Sequence, residues 1–127
     1  MSNFGYTYLD YNYLMHPMRK FYSYEPVPEP RKENERNILG VETPIWTEWV
    51  PNIDRLGWQV FPRFFATAEV AWTEPKLKNY EEFKKKIPHI LRFLDKLEMP
   101  YADPEEVDPS NWERYTHMRR WMQWPEV

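Results

Sequence analysis

The feature that most constrains this chain is its shortage of strand-forming segments: 127 residues can bury a core, yet only two stretches favour a β-strand. These are Phe4–Leu9 and Ile38–Trp46, both rich in β-branched or aromatic residues. Residues 16–37 carry four prolines and mixed charges, which predicts a long loop with at most a short helical turn. Two strands joined by a crossover predict a parallel pair covered by helices, a piece of an α/β architecture. A parallel sheet needs cover on both faces, so two strands alone make a poor domain.

Helical segments follow the second strand-like stretch. Apolar residues recur through residues 52–72, and Pro62 is expected to kink that helix or to begin a second one. Two later helices are predicted to start after Asn79 and after Ser110, because a glutamate follows each of these residues at the spacing of a capping box. Pro88 interrupts the first of these two helices, and we expect a bend there.

Charge and composition exclude several classes of function. The 17 basic and 20 acidic residues give a net charge of −3, so no positive excess points to nucleic acid or to an anionic membrane. The chain has no cysteine, which excludes a disulfide scaffold, a thiolate metal site and a cysteine nucleophile. No apolar run approaches the length of a membrane span, and residues 1–10 do not resemble a signal peptide. The compartment stays open, and a native gene product of this sequence would be expected in the cytoplasm.

The common catalytic and cofactor motifs are missing from the sequence. Three glycines cannot form a phosphate-binding loop, and the serines lack the context of a nucleophile elbow. His16, His89 and His117 have no metal-ligand spacing, so each is expected to be a surface or packing residue. The acidic residues between 103 and 108 lack the pattern of a calcium loop and are expected to be solvated. No metal and no cofactor is expected.

Aromatic residues and carboxylates alternate where the two predicted strands end. Tyr8 and Asp10 close the first strand, and Trp46 and Glu48 close the second. Residues two apart project to the same side of a strand, and ligands bind at the carboxyl ends of parallel strands. Carboxylates accept hydrogen bonds from sugar hydroxyls, and aromatic faces pack on the C–H face of a pyranose, which indicates a sugar site. Composition alone favours the alternative that these aromatic residues cap the core.

Several longer motifs occur in a fixed order along the chain. The segments read YTYLDYNY, YSYEPVPE, ILGVETPIWTEWV and LGWQVFPRFFATAEVAWTEP. Their most specific parts are Trp46–Thr47–Glu48 after Gly40–Val41–Glu42, then Phe61–Pro62–Arg63 and the residues 68–72. In this order and spacing they resemble the C-terminal part of the family 20 glycoside hydrolases, the β-N-acetylhexosaminidases. The resemblance runs from about residue 4 to residue 101.

The resemblance implies a (β/α)8 barrel that removes terminal N-acetylhexosamines by substrate-assisted catalysis. In that reaction the 2-acetamido carbonyl of the sugar attacks its own anomeric carbon, so no carboxylate of the protein is the nucleophile. The resemblance implies that Tyr8 donates its hydroxyl to the acetamido oxygen and orients the attack. It also implies that Asp10 and Glu48 bind the outer sugar hydroxyls, and that Trp46 forms a wall of the pocket.

The sequence departs from the family pattern in its catalytic acid. The family carries an adjacent Asp–Glu pair after a His–x–Gly–Gly pattern, and neither occurs in this sequence. A full barrel needs eight strands and about 250 residues. The expected fold is therefore α/β, a partial (β/α)8 TIM barrel containing about the last two βα units plus a C-terminal helical extension. Residues 1–102 would form the barrel part, and residues 103–127 an acidic loop and a short helix.

Three functions are compatible with this sequence. In the first, the chain is a fragment of a β-N-acetylhexosaminidase, inactive alone because the acid pair is absent, and active on terminal N-acetylhexosamines of glycans when the rest of the barrel is supplied by another chain. In the second, it is a non-catalytic barrel remnant that self-associates, since unpaired strand edges seek partners. In the third, its aromatic surface and last helix dock on a protein partner.

Overall fold

The computed structural model describes residues 5–28, 33 and 35–121, with side chains described as far as residue 117. Helices and irregular segments make up this part of the chain, and a 3₁₀ turn at Pro75–Leu77 links the third helix to the fourth. The helices are α1 Met18–Tyr22, α2 Ile53–Val60, α3 Arg63–Trp72, α4 Tyr80–Lys96 and α5 Asn111–Trp121.

Both predicted strands are wrong for the residues that the structure describes. Residues 5–16, called here the first segment, form turns and bends, and residues 38–50, called the second segment, contain no ladder; Phe4 lies outside the described residues. The two segments do lie side by side, because the Leu9 amide donates to the Pro44 carbonyl at 2.9 Å. One such bond does not make a ladder, and side chains from α2 and α3 take the carbonyls of the first segment instead.

The predicted break at Pro62 is confirmed. The helical pattern of residues 52–72 divides into α2 and α3, with Pro62 at the N-cap of α3. The Asn52 side chain accepts a hydrogen bond from the Arg55 amide at 2.8 Å and so caps the start of α2. Pro88, in contrast, does not interrupt α4, which continues through it as one helix. The helix tolerates it because α4 packs along its length on the core.

Both predicted capping residues are confirmed. The Asn79 side chain accepts from the Glu82 amide at 3.2 Å, one residue before α4 begins. At α5 the box is complete: the Ser110 hydroxyl accepts from the Glu113 amide at 3.2 Å, and the Glu113 carboxylate accepts from the Ser110 amide at 2.7 Å. Each cap satisfies an amide that has no partner within its helix.

The hydrophobic core lies between α1, α3 and α4. One face of α4 belongs to this core, and Tyr22 of α1 packs on Tyr80 and Phe83 of α4. The buried set comprises Leu9, Tyr13, Met18, Phe21, Tyr22, Ala66, Phe83, Ile87, Leu91, Leu94, Ala102 and Val107. The first segment is thus fixed on the core, while much of the second segment lies on the surface.

The chain after residue 102 is attached to the same core. Val107 is buried, and its carbonyl accepts from the Met18 amide at 2.8 Å. The Asp108 carboxylate, expected to be solvated, accepts from the Arg19 amide at 2.8 Å and from the hydroxyl of Tyr80. These contacts join residues 103–108 to the same core as the residues before them. The division into residues 1–102 and 103–127 therefore stays a prediction about ancestry.

Candidate functional site

A buried arginine at the start of α3 holds the first segment in place. The Arg63 side chain is fully buried, and its guanidinium donates to the carbonyls of Leu9 at 2.9 Å, Tyr11 at 2.6 Å and His16 at 3.2 Å. A buried carbonyl without a donor costs about 1–3 kcal/mol, and Arg63 supplies a donor to each of these three. The guanidinium also lies 4.4 Å from the centre of the Tyr13 ring. Burial lowers the pKa of Arg63 to about 10, so the group is still charged at neutral pH.

A glutamine one turn earlier completes this support. Gln59 is fully buried, and its amide nitrogen donates to the carbonyls of Leu9 at 2.9 Å and Asp10 at 3.1 Å. The Arg55 guanidinium donates to the Gln59 side-chain oxygen at 2.8 Å and so fixes the orientation of the amide. Side chains of α2 and α3 therefore perform the role that a neighbouring strand would have in a sheet.

Asp10 connects the first segment to the second. One carboxylate oxygen of Asp10 accepts from the Trp46 amide at 2.7 Å. The other oxygen is buried and has no hydrogen-bond partner among the residues that the structure describes. The contact brings together the two motifs that were predicted, at positions 8–10 and 46–48, to form one site.

Three of the four predicted site residues affect the pKa of the Tyr11 hydroxyl. Burial first, and then the nearby Asp10, Tyr8 and Glu48, raise the pKa of Tyr11 above its ordinary value. Asp10, Tyr8 and Glu48 therefore all act electrostatically on the Tyr11 hydroxyl. The fourth residue, Trp46, contacts Asp10 through its backbone amide.

Trp46 and Glu48 are displayed by a tight turn. Thr47 between them has a φ of 62°, in the left-handed region that a β-branched residue rarely adopts. Its hydroxyl donates to the Trp46 carbonyl at 2.7 Å, and the Val50 amide donates to the Thr47 carbonyl at 3.2 Å. The Trp46 side chain is 69% exposed. A strained turn that exposes an indole beside a carboxylate is unusual for a residue that only caps a core.

The site offers hydrogen-bond acceptors beside an exposed aromatic face. The Asp10 and Glu48 carboxylates can accept from hydroxyl groups, and the indole of Trp46 can pack on an apolar face. Whether Tyr8, Asp10, Trp46 and Glu48 have the individual roles given above stays a prediction. Within the described residues no group of three histidine or acidic side chains could hold a metal ion, and no helix is long and apolar enough to cross a membrane.

The sequence motifs contained Arg63, but its role was missed. Arg63 lies within the Phe61–Pro62–Arg63 motif, but the motif predicts neither its hydrogen bonds nor those of Gln59. The available signal was two polar residues four positions apart on a strongly apolar helical stretch, a spacing that places both on one face. Such a pair in an apolar face indicates buried hydrogen bonding.

The chain matches the family model described as glycosyl hydrolase family 20, catalytic domain, over residues 1–75. A β-hexosaminidase from Porphyromonas gingivalis is 29% identical over 95 residues, which are 74% of this chain and 12% of the relative. The β-hexosaminidase subunit B2 of Dictyostelium discoideum is 39% identical over 74 residues, which are 58% of this chain and 13% of the relative. The chain thus spans a small part of the curated relatives that it matches.

Two solved structures have a similar fold. An inactive mutant of the family 20 exo-β-N-acetylglucosaminidase from Vibrio harveyi is 29% identical, with a TM-score of 0.71 over 81% of this chain and 18% of that one. The family 20 β-N-acetylhexosaminidase from Streptomyces coelicolor is 22% identical, with a TM-score of 0.73 over 86% of this chain and 24% of that one. The second likeness concerns the fold alone. Since the family model covers more than half of the sequence, this chain belongs to glycosyl hydrolase family 20.

Proposed function

We propose that this chain is a part of the catalytic domain of a β-N-acetylhexosaminidase and supplies one wall of the site for a terminal N-acetylhexosamine. The fold would then be a partial (β/α)8 barrel, corresponding to about its last two βα units. The observation that carries the proposal is the hydrogen bond from the Trp46 amide to the Asp10 carboxylate, which joins the two motif-bearing segments. Both segments lie within the residues that match the family model.

Each site residue has a distinct task in the proposed reaction. Tyr8 donates its hydroxyl to the oxygen of the 2-acetamido group and holds that oxygen toward the anomeric carbon. Asp10 and Glu48 accept hydrogen bonds from the outer hydroxyls of the sugar. The exposed indole of Trp46 covers one face of the ring and the acetamido methyl group. The acetamido oxygen attacks the anomeric carbon as the glycosidic bond breaks, and the leaving-group oxygen takes a proton and departs as an alcohol. Water then adds to the anomeric carbon of the bicyclic intermediate, loses a proton and restores the acetamido group.

The isolated chain lacks the general acid for this reaction. Cleavage needs a proton for the leaving-group oxygen, and the sequence contains no adjacent Asp–Glu pair to provide it. General acid catalysis contributes typically about 10²–10⁴-fold in rate, and the remaining walls of the pocket are also missing here. The isolated chain is therefore proposed to be inactive, and the reaction requires the rest of a catalytic domain.

Complementation in two pieces tests this proposal. The Vibrio harveyi enzyme is divided so that its own segment matching this chain, supplied separately, restores hydrolysis of a chromogenic N-acetylglucosaminide. This chain then replaces that segment, and Asp10→Asn and Tyr8→Phe variants of it are compared. We expect no hydrolysis by either piece alone, hydrolysis by the mixture, and a loss of rate in both variants.

The outcomes separate the proposed function from its competitors. If the mixture stays inactive although the two pieces co-purify, the chain is a structural remnant and the catalytic proposal is wrong. If the pieces do not associate and the chain alone has a solution mass well above its sequence mass of 15.8 kDa, self-association is its function instead. Equal rates for the wild-type chain and the Asp10→Asn variant would remove Asp10 from the site.

A further inference from the structure

The turn at Thr47 lies between the two residues of the second segment that belong to the proposed sugar site. We propose that Thr47 is a positioning residue: its left-handed backbone conformation, closed by its own hydroxyl, directs the side chains of Trp46 and Glu48 toward the same sugar. The inference rests on the proposed function and adds a residue on which sugar binding depends, although its own side chain does not touch the sugar.

The backbone of Thr47 has a conformation that its own side chain opposes. Its φ is 62°, and in this region a β-branched side chain crowds the carbonyl that follows it. Among the residues that the structure describes, Glu98 is the other non-glycine residue with a positive φ, of 54°. Glu98 ends α4, where the Met99 amide donates to the Leu94 carbonyl at 3.0 Å, as is usual at the end of a helix. Thr47 ends no helix, so its conformation needs another explanation.

The Thr47 hydroxyl supplies a bond that offsets the cost of this conformation. It donates to the Trp46 carbonyl at 2.7 Å, and the Thr47 carbonyl accepts from the Val50 amide at 3.2 Å. The Thr47 side chain is exposed, so its contribution is the hydrogen bond and not burial in the core. Serine has the same hydroxyl without the methyl group, and valine has the same shape without the hydroxyl. Substitution can therefore separate the hydrogen bond from the shape of the side chain.

The turn determines where Glu48 lies relative to Trp46. The Trp46 amide is held by the Asp10 carboxylate at 2.7 Å, and a chain that stayed extended would carry Glu48 about 7 Å further along the segment. Burial, and then charges that include Asp10 and Glu48, raise the pKa of Tyr11, so both carboxylates act on one hydroxyl. The side chains of Trp46 and Glu48 are both exposed, and their directions therefore depend on the backbone between them.

Kinetics of the complemented enzyme test the inference. Thr47→Val, Thr47→Ser and Thr47→Gly variants of the full chain are each mixed with the Vibrio harveyi piece, and KM and kcat are measured for the chromogenic N-acetylglucosaminide. We expect KM to rise about tenfold in Thr47→Val and Thr47→Gly with kcat within about twofold, because binding and not chemistry is impaired. Thr47→Ser keeps the hydroxyl and should stay close to the wild type. Thr43→Val makes the same change at a threonine whose φ is not positive, and should alter neither constant.

Two measurements on the free chain separate positioning from stability. Thr47→Gly removes the crowded Cβ, so the urea concentration at half-unfolding should be unchanged or higher in this variant, although its KM rises. A residue with a positive φ gives a strong nuclear Overhauser effect between its own amide and Hα protons. We expect this effect at Thr47 in the wild-type chain and at the serine of Thr47→Ser, and a weaker one at the valine of Thr47→Val.

Each result supports or contradicts the positioning role. If the wild-type mixture is active and Thr47→Val and Thr47→Gly keep its KM, Thr47 positions nothing while the proposed function stands. If KM rises only in variants whose urea midpoint falls, Thr47 serves stability alone and the inference is wrong. If the wild-type mixture is inactive, the proposed function fails and the inference with it. A weak Overhauser effect at Thr47 in the wild-type chain would contradict the left-handed turn itself.

Discussion

The sequences of the first and second segments both favour strands, but the rest of the protein binds the two segments differently. The first segment is fixed on the core by Arg63 and Gln59, which satisfy its carbonyls from α2 and α3. The second segment bonds to the first through Pro44 and Trp46, and much of it lies on the surface. We therefore expect Arg63 and Gln59, which bond to the first segment, to contribute most to stability. Residues of the second segment are expected to contribute more to binding than to stability.

The largest expected effect is the loss of the Arg63 guanidinium. An Arg63→Met variant removes the guanidinium donor from the carbonyls of Tyr11 and His16 and leaves the Leu9 carbonyl with Gln59 alone. At about 1–3 kcal/mol for each of the two groups, the free energy of unfolding should fall by about 2–6 kcal/mol. A domain of this size has only about 5–15 kcal/mol in total, so the variant should lose a large part of its stability. Urea denaturation followed by circular dichroism measures the change.

Arg55→Met is the matched control for that variant. Arg55 lies two turns before Arg63, is half-buried, and donates to the Gln59 side chain at 2.8 Å. Its loss should cost about 1 kcal/mol. Equal losses for the two variants would mean that water replaces the Arg63 guanidinium, and the first segment would then not depend on it.

A pair of glycine substitutions compares the two regions directly. A Cβ at Gly57 of α2 would lie 2.1 Å from the carbonyl oxygen of Pro100 and 2.6 Å from its ring. A backbone atom cannot move aside easily, so Gly57→Ala should destabilise the chain by about 2–3 kcal/mol. A Cβ at Gly40 of the second segment meets nothing within 4 Å, and Gly40→Ala should leave stability unchanged or raise it by up to about 1 kcal/mol. Thermal unfolding of both variants would contradict the comparison if Gly40→Ala were the more harmful.

The same contrast explains what the sequence could and could not predict. The starts of α4 and α5 were predicted correctly because Asn79 and Ser110 cap amides only three residues away. Over its described residues 5–9, the strand predicted at Phe4–Leu9 is wrong, because strand formation needs a partner distant in sequence and Gln59 and Arg63 bond the Leu9 carbonyl instead. Side-chain partners of a backbone carbonyl leave no periodic pattern in the sequence. The meeting of the two site motifs was foreseen only through spacing and resemblance.

The pH dependence of folding should come from His16, at the end of the first segment. Burial, and then the charge of Lys20, lower the pKa of His16 to about 4, and its ring nitrogen Nδ1 donates to the Tyr8 carbonyl at 3.2 Å. In the unfolded chain the pKa is about 6.5, so below that pH the unfolded state binds a proton that the folded state does not. The stabilisation present above pH 6.5 is therefore lost as the pH falls toward 4, by about 2 kcal/mol at pH 5.

Denaturation at several pH values checks this expectation against a second histidine. His89 is exposed on α4, so His89→Gln should keep the slope between pH 7 and pH 5. The His16→Gln variant should lose most of that slope, whatever its stability at neutral pH. A slope that survives in His16→Gln would assign the pH dependence to other groups, and the first segment would not be its source.

The smallest effect on stability is expected at Trp46, where the effect on function should be large. Its side chain is 69% exposed, so Trp46→Ala should change the free energy of unfolding by no more than about 0.5 kcal/mol. In the complemented enzyme, the loss of an aromatic face should weaken sugar binding by about tenfold, measured as a rise in KM. Trp112 on α5 is 73% exposed and far from the motifs in sequence, so Trp112→Ala should change neither quantity. If both variants raise KM equally, the effect of Trp46→Ala is not specific to the sugar site, and the second segment does not form a wall of that site.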